Sequence, residues 1–407
     1  MKNKLKQVLS LLGVLLCFCS CELSDSTDDT PEVVKPKCAT LLFYMVGEND
    51  LSDYMEVNIA NMITGYKQTD SVANILVYKD VDDTPKLYLL NKDDYGTVTL
   101  KTVKTYQNQA SVDPEVMAEV LNDVFTNYPA LKKGVVFSSH ADGSLLQTST
   151  IGKRSFGMEK INGTYYGMNI TDINEALSKC AYLDMVMFDA CLMANIETAY
   201  EIKDRAKYLL ATPNSVPGNG FPYQYVISDL LKMDKASLEH AAEQYYNYYR
   251  MNSVEWDDFV AVSLTDLTKI SSVAEAMDSL CRIPCVRNKI EMLEAEDIQK
   301  YELTKDLYDC GQWIDSIGCG SKQATVVKAA LDAAVVYKKR SDYACCDDWG
   351  TLYLPITDER FSGLNTYLPG DANTMYEILQ QQFFTTLKWY TDAGLWRCSR
   401  YNRYAVN

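Results

Sequence analysis

Beyond residue 38 the chain alternates two apolar patterns. A continuous apolar run of strand length occurs at residues 39–46 (ATLLFYMV), and mostly apolar ones at 73–78 (ANILVY), 134–139 (GVVFSS), 182–188 (YLDMVMF) and 207–211 (KYLLA). Between them, residues 51–66, 112–128 and 171–179 place apolar side chains at helical spacing. A strand that is apolar at every position leaves no side for solvent, so both faces of its sheet are covered. Alternating such strands with amphipathic helices predicts an α/β fold around a mostly parallel sheet. Residues 86–90 and 98–103, on either side of Asp93, Asp94 and Gly96, read as a hairpin.

Two polar, turn-rich stretches interrupt this order, at 141–169 and 212–223 (TPNSVPGNGFPY). The first is longer than an ordinary connection, and loops of that length are usually functional. From residue 225 the pattern is mainly helical, at 240–251, 270–282, 305–317 and 325–337. Late strands at 351–355 and 364–369 are expected to rejoin the core in a sheet. The expected division is thus a leader (1–21), a tether (22–38), an α/β core (39–224) and a helical C-terminal region (225–407).

The leader has a basic start (Lys2, Lys4, Lys6), then an apolar stretch from Val8 to Phe18 that is too short to span a bilayer. This is the pattern of an export signal. Phe18-Cys19-Ser20-Cys21 resembles a bacterial lipobox, with Cys21 as the residue that takes the lipid. Residues 22–36 are acidic and aperiodic, and read as a disordered tether of at most about 50 Å. An exported lipoprotein of the outer membrane or cell surface is therefore expected, a periplasmic or secreted protein being the alternative.

Composition narrows the chemistry. A hydrophobic content of 47% over 407 residues supports a large core, and a formal net charge of -16 argues against nucleic acid as a partner. There are two histidines, His140 and His240, so a histidine-rich metal site is excluded and an imidazole catalyst must be one of these. No metal site is expected. Cys281 and Cys285 have metal-like spacing without a second pair, and read as a structural pair or a disulfide.

The stretch 186–201 (VMFDACLMANIETAYE) carries the most chemistry. An apolar strand ends at Asp189-Ala190-Cys191 and a helical pattern follows from Leu192 to Arg205. A cysteine at a sheet's carboxyl edge beside a helix N-terminus is favoured as thiolate and lies where α/β sheets bind ligands. Free cysteine is also a common core residue, so position alone leaves both readings open. His140 ends another buried strand 51 positions earlier, at the same predicted edge, and adjacent parallel strands would bring the pair together. His240 lies within a predicted helix and reads as an ordinary helix residue.

FDACLMANIETAYE, with YMVGENDLSDY (44–54), GNGFPY (218–223), VSLTDL (262–267) and GLNTYLP (363–369), resembles the clostripain-like cysteine peptidases, family C11 of the caspase-like clan. The resemblance implies a caspase-like sheet between helices. It implies a His140–Cys191 dyad that cleaves polypeptides after arginine or lysine, with Asp189 facing the basic side chain; a helix-capping role is the alternative for Asp189. Lys153-Arg154 would be a self-cleavage site, or else solvated loop charge. Calcium activates some members, yet this chain has no EF-hand-like ligand run, and no cofactor is required. Two departures stand out: Ala141-Asp142-Gly143 where glycine usually follows the histidine, and Asn219 where relatives often have an acidic pocket residue. The competing expectation is a catalytically silent surface lipoprotein that binds peptides or glycans.

Overall fold

The computed structural model describes residues 37–405, apart from 82–83, 108, 147–154, 162, 253–258, 304, 344 and 347–352. Cys21, Lys153 and Arg154 lie outside the described residues. No helix among the described residues is long and apolar enough to cross a membrane.

The central sheet has nine strands: β1 (Lys37–Val46), β2 (Asn74–Asp80), β3 (Lys86–Lys92), β4 (Val98–Thr105), β5 (Ala130–Ser138), β6 (Leu183–Asp189), β7 (Ala206–Ala211), β8 (Ala261–Asp266) and β9 (Val335–Arg340). Their spatial order is β9-β8-β7-β6-β5-β1-β2-β3-β4. The middle, β2-β1-β5-β6-β7, is parallel; antiparallel pairs extend it at both edges. The helices around it are α1 (Ser52–Gln68), α2 (Pro114–Asn127), α3 (Ile170–Ser178), α4 (Ile196–Glu201), α5 (Tyr223–Leu230), α6 (Lys235–Asn252) and α7 (Ile270–Cys281).

Alternation along each strand divides the core in two. In β1, Leu42, Tyr44 and Val46 point into one core with side chains of α2, α3, α4 and α7. Leu41, Phe43 and Met45 point into the other, with α1, α5 and α6. All six are fully buried, which explains why this strand reads as an unbroken apolar run.

Register then sets the functional geometry. Met45 pairs with Ser138, and Ser138 with Asp189, so β1, β5 and β6 end at one level. Two residues past Ser138 and Asp189 lie His140 and Cys191. The chain leaves β1 toward β2 on one side, while β5 lies on the other. This reversal opens the crevice at the carboxyl edge that α/β sheets use for ligands.

Several expectations change. The late strands form small sheets apart from the central one: Asn365–Tyr367 pairs with Leu307–Asp309, within the main core, and Tyr353–Leu354 with Cys345–Cys346. The central sheet is instead extended by β8 and β9, two strands that the sequence did not reveal. β9 is an edge strand (VVYKKR) with no apolar run, directly after the helix Lys322–Ala334, and its lysines suit an exposed edge. The segment 141–169 contains a hairpin, Phe156–Ile161 with Thr164–Met168. The α/β core and the C-terminal region lie in one compact unit, Pro36–Asn407. Cys281 and Cys285 do not pair with each other: Cys285 is bonded to Cys319, and Cys281 is a buried free thiol.

Candidate active site

A cavity of about 280 Å³ opens at the carboxyl ends of β1, β5, β6 and β7. Asp50 enters from the β1–α1 connection, Tyr54 and Met55 from the first turn of α1, Ser138 to His140 from the end of β5, Asp189 to Cys191 from the end of β6, and Val216 to Gly218 with Gly220 from the loop after β7. His140, Cys191 and Asp189 therefore meet at one cavity, as expected from the sequence.

The turn at Cys191 is built differently from the expectation. The helix starts at Ile196 and has six residues, so Cys191 is not at its N-terminus and the helix-dipole argument does not apply. Asn195 fills the cap, accepting from Thr198 N at 2.7 Å. This also removes the capping role for Asp189. Between Cys191 and the cap, Leu192 adopts φ 65°, a left-handed conformation that is costly for a branched side chain and needs external support. That support is present: Leu192 N donates to Asn214 O (3.0 Å), Ala194 N to Thr212 O (2.9 Å), and Asn195 Nδ2 to Leu192 O (2.9 Å).

Cys191 accepts a hydrogen bond at Sγ from Val216 N–H, at 3.3 Å. Burial pushes its thiol up to about 11, and the Asp142 and Glu302 carboxylates push the same way against the Val216 and Ser215 hydrogen bonds. At neutral pH the resting sulfur is thus a thiol, contrary to the expected thiolate. His140 is half-buried, and its Nε2 lies 2.7 Å from Asp50 Oδ1. An ionised carboxylate only accepts, so this contact assigns the proton to Nε2 and leaves Nδ1 as the basic nitrogen.

Asp189 is 6% exposed. Its Oδ2 accepts from Tyr223 OH at 2.6 Å and from Phe221 N at 3.3 Å, while its buried Oδ1 has no hydrogen-bond partner among the described residues. Burial raises the carboxyl to about 6, against the two hydrogen bonds that hold it down. Gly220 makes the close approach feasible: it has φ 64°, and a Cβ there would stand 2.4 Å from Asp189 Oδ2. Tyr249 OH anchors the same loop through Gly220 O at 2.6 Å, and the Tyr54 ring lies against Gly218.

Asn219 does not contribute as expected. It is the exposed apex of the turn closed by Gly220 N to Pro217 O (2.8 Å) and does not line the cavity. His240 lies in α6, with Nδ1 2.6 Å from Asp229 Oδ2, away from the cavity. No group of three or more His, Cys, Asp or Glu among the described residues could hold a metal ion. Sequence reading missed Asp50, although it lies within the segment YMVGENDLSDY. It also missed Tyr223, the last residue of GNGFPY.

A covered parallel sheet with a cysteine and a histidine facing one cavity at its carboxyl edge is the architecture of the caspase-like cysteine peptidases, and this protein is one of that class. More narrowly, the chain belongs to the clostripain family, whose model matches residues 43–398. Clostripain of Hathewaya histolytica is 24% identical over 223 residues, which is 47% of this chain and 42% of that protein, so the match spans less than half of the relative. A secreted C11 cysteine protease from Bacteroides thetaiotaomicron, in complex with an irreversible peptide inhibitor, superposes with TM-score 0.77 at 29% identity, over 88% of this chain and 99% of that one. An inactive zymogen C11 protease from Parabacteroides distasonis gives 0.75 at 25% identity, over 89% and 99%.

Proposed function

We propose that the protein is an endopeptidase that cleaves polypeptides after lysine or arginine, with Cys191 as nucleophile and His140 as general acid and base. The observation that carries this reading is the buried, unpartnered Oδ1 of Asp189 in the same cavity as Cys191 and His140. An orphaned buried acceptor is costly, and a substrate ammonium or guanidinium would complete it. With the basic side chain seated there, the scissile carbonyl comes to Sγ. The thiol proton passes to His140 Nδ1 as sulfur attacks the carbonyl carbon. The imidazolium then protonates the leaving amine, and water hydrolyses the thioester. Backbone amides, among them that of Cys191 and one near Ala141 or Asp142, receive the developing oxyanion.

The same reading makes the uncut chain a precursor that is activated by cleavage after Lys153 or Arg154, a dibasic sequence matching its own specificity. The protonated resting thiol supports it, and one structural relative is an inactive zymogen. Export with a lipid on Cys21, to the outer membrane or cell surface, is supported by the leader and by a secreted relative. The raised thiol also favours one competitor, a silent surface protein that binds peptides or glycans. Fluorogenic peptides ending in Arg, Lys or a neutral residue decide between them. Hydrolysis of the basic peptides alone, abolished by alkylation and in Cys191→Ala, is expected; no hydrolysis after nicking between residues 147 and 154 refutes the peptidase.

A further inference from the structure

The segment after His140 lies directly against the segment after Cys191. Gly143 has φ 69°, and a Cβ there would stand 2.9 Å from Leu192 O and from Asn195 Nδ2. Asp142 is thereby held beside the nucleophile's turn, with its side chain only 17% exposed. One partner comes from the distant C-terminal half: Lys305 Nζ lies 2.9 Å from Asp142 Oδ1, and that lysine is 11% exposed. Three residues earlier, the buried Glu302 accepts from Ser215 Oγ at 3.4 Å. Ser215 precedes Val216, the residue whose N–H reaches Cys191 Sγ. Residues 302 and 305 thus touch both loops that flank the sulfur.

Carboxylates dominate the surroundings. Asp142 and Glu302 both oppose ionisation of Cys191, and Asp189 and Asp50 line the cavity with it. His140 is the imidazole there, and no lysine or arginine is among the described residues lining the cavity. A thiol becomes nucleophilic only as thiolate, and each nearby negative charge that stays uncompensated delays that step.

We propose that Lys305 is a positioning residue of the peptidase centre: its ion pair offsets part of the charge of Asp142 beside Cys191 and fixes the loop that follows His140. The inference rests on Cys191 being the nucleophile but is read at the sulfur itself, with no peptide substrate. Its failure is therefore separable from failure of the peptidase reading.

The test is the pH dependence of alkylation of Cys191 by iodoacetamide in the full chain, followed by mass spectrometry of the Cys191 peptide. Lys305→Met should raise the midpoint by about one pH unit, a roughly tenfold slower reaction at neutral pH. Asp142→Asn should lower it by a similar amount. The double variant should return to within about half a unit of the parent, because both charges leave together. A purely structural role for the pair would shift the two single variants in the same direction. An unmoved midpoint in Lys305→Met, or a double variant that keeps the midpoint of Lys305→Met, overturns the proposal. Should Lys305→Met fail to fold, Asp142→Asn alone decides: a midpoint that does not fall overturns it equally. Loss of these shifts in a chain that still cleaves basic peptides would remove Lys305 and leave the dyad standing.

Discussion

Replacing Asp189 by asparagine removes one charge and leaves the shape of the cavity floor. The asparagine carbonyl takes the place of Oδ2, where Tyr223 OH and Phe221 N donate, since both donors need an acceptor. Its NH2 group then occupies the position of the open Oδ1 and presents a donor to an incoming cation. The variant loses a charge-assisted hydrogen bond in a buried setting, and meets the substrate with the wrong polarity. Truncating one partner of such a pair costs about 3–5 kcal/mol, so kcat/KM for peptides ending in Lys or Arg should fall about 10²- to 10⁴-fold. A norleucine peptide, which has no charge to pair, should lose little. The assay is kcat/KM over a series of fluorogenic peptides with Lys, Arg, citrulline and norleucine before the scissile bond, normalised to Cys191 sites titrated by alkylation. In the parent, kcat/KM for the basic peptides should rise with pH through about 6. Burial has lifted the carboxyl to that value, and only its ionised form, present above it, attracts the cation. Equal losses for norleucine and lysine peptides would refute the reasoning, as would a basic-peptide loss under about threefold.

Gly220→Ala should reproduce much of this defect without removing a charge. Its Cβ would collide with the Asp189 carboxylate in a left-handed backbone, so basic-peptide kcat/KM should fall at least about tenfold, and a crystal structure should show Asp189 displaced. Cys191→Ala should stay a single polypeptide by intact mass while the parent splits within 147–154; a parent that stays equally intact would exclude self-cleavage. Glu159 is buried near Asp80 and keeps its proton up to about 8, against an ordinary value of 4.5. The folded state therefore binds more protons than the unfolded one between those values, and this group makes stability fall as pH rises. Glu159→Gln should flatten the fall and stabilise the protein at pH 8 by on the order of 3 kcal/mol, with little change at pH 4, in urea titrations. An unchanged slope of stability with pH would contradict it.

The parallel core was readable because β1, β5 and β6 are covered on both faces, which leaves a continuous apolar signature. The meeting of His140 with Cys191 was readable too, because parallel strands in register deliver their ends to one edge and the chain offers few imidazoles. The helix boundary after Cys191 was not. LMANIETAYE has helical periodicity, and tertiary hydrogen bonds from Thr212, Asn214 and Asn195 override it to hold Leu192 in a left-handed turn; Asn195 before Ile-Glu was the available N-cap signal. β9 escaped notice because an edge strand needs no buried face on every residue. Asp50 and Lys305 escaped for another reason. Their roles depend on partners 90 and 163 positions away, and no local pattern records such a contact.

The pairing of β5 with β6 would acquire a different meaning if the chain were cut between residues 147 and 154. Every strand from β1 to β5 would then belong to one polypeptide and every strand from β6 to β9 to another, so the seam of the resulting heterodimer runs through the middle of one sheet. The hairpin Phe156–Met168 crosses back over this seam. Gly157 N bonds His140 O, Glu159 Oε2 accepts from Val112 N, and Asn49 Nδ2 reaches Met158 O. Two fragments interlocked in this way cannot part without unfolding the sheet. Processing would change the subunit count seen in a denaturing gel while the native particle keeps its size, and His140 and Cys191 would face each other across a boundary between two chains.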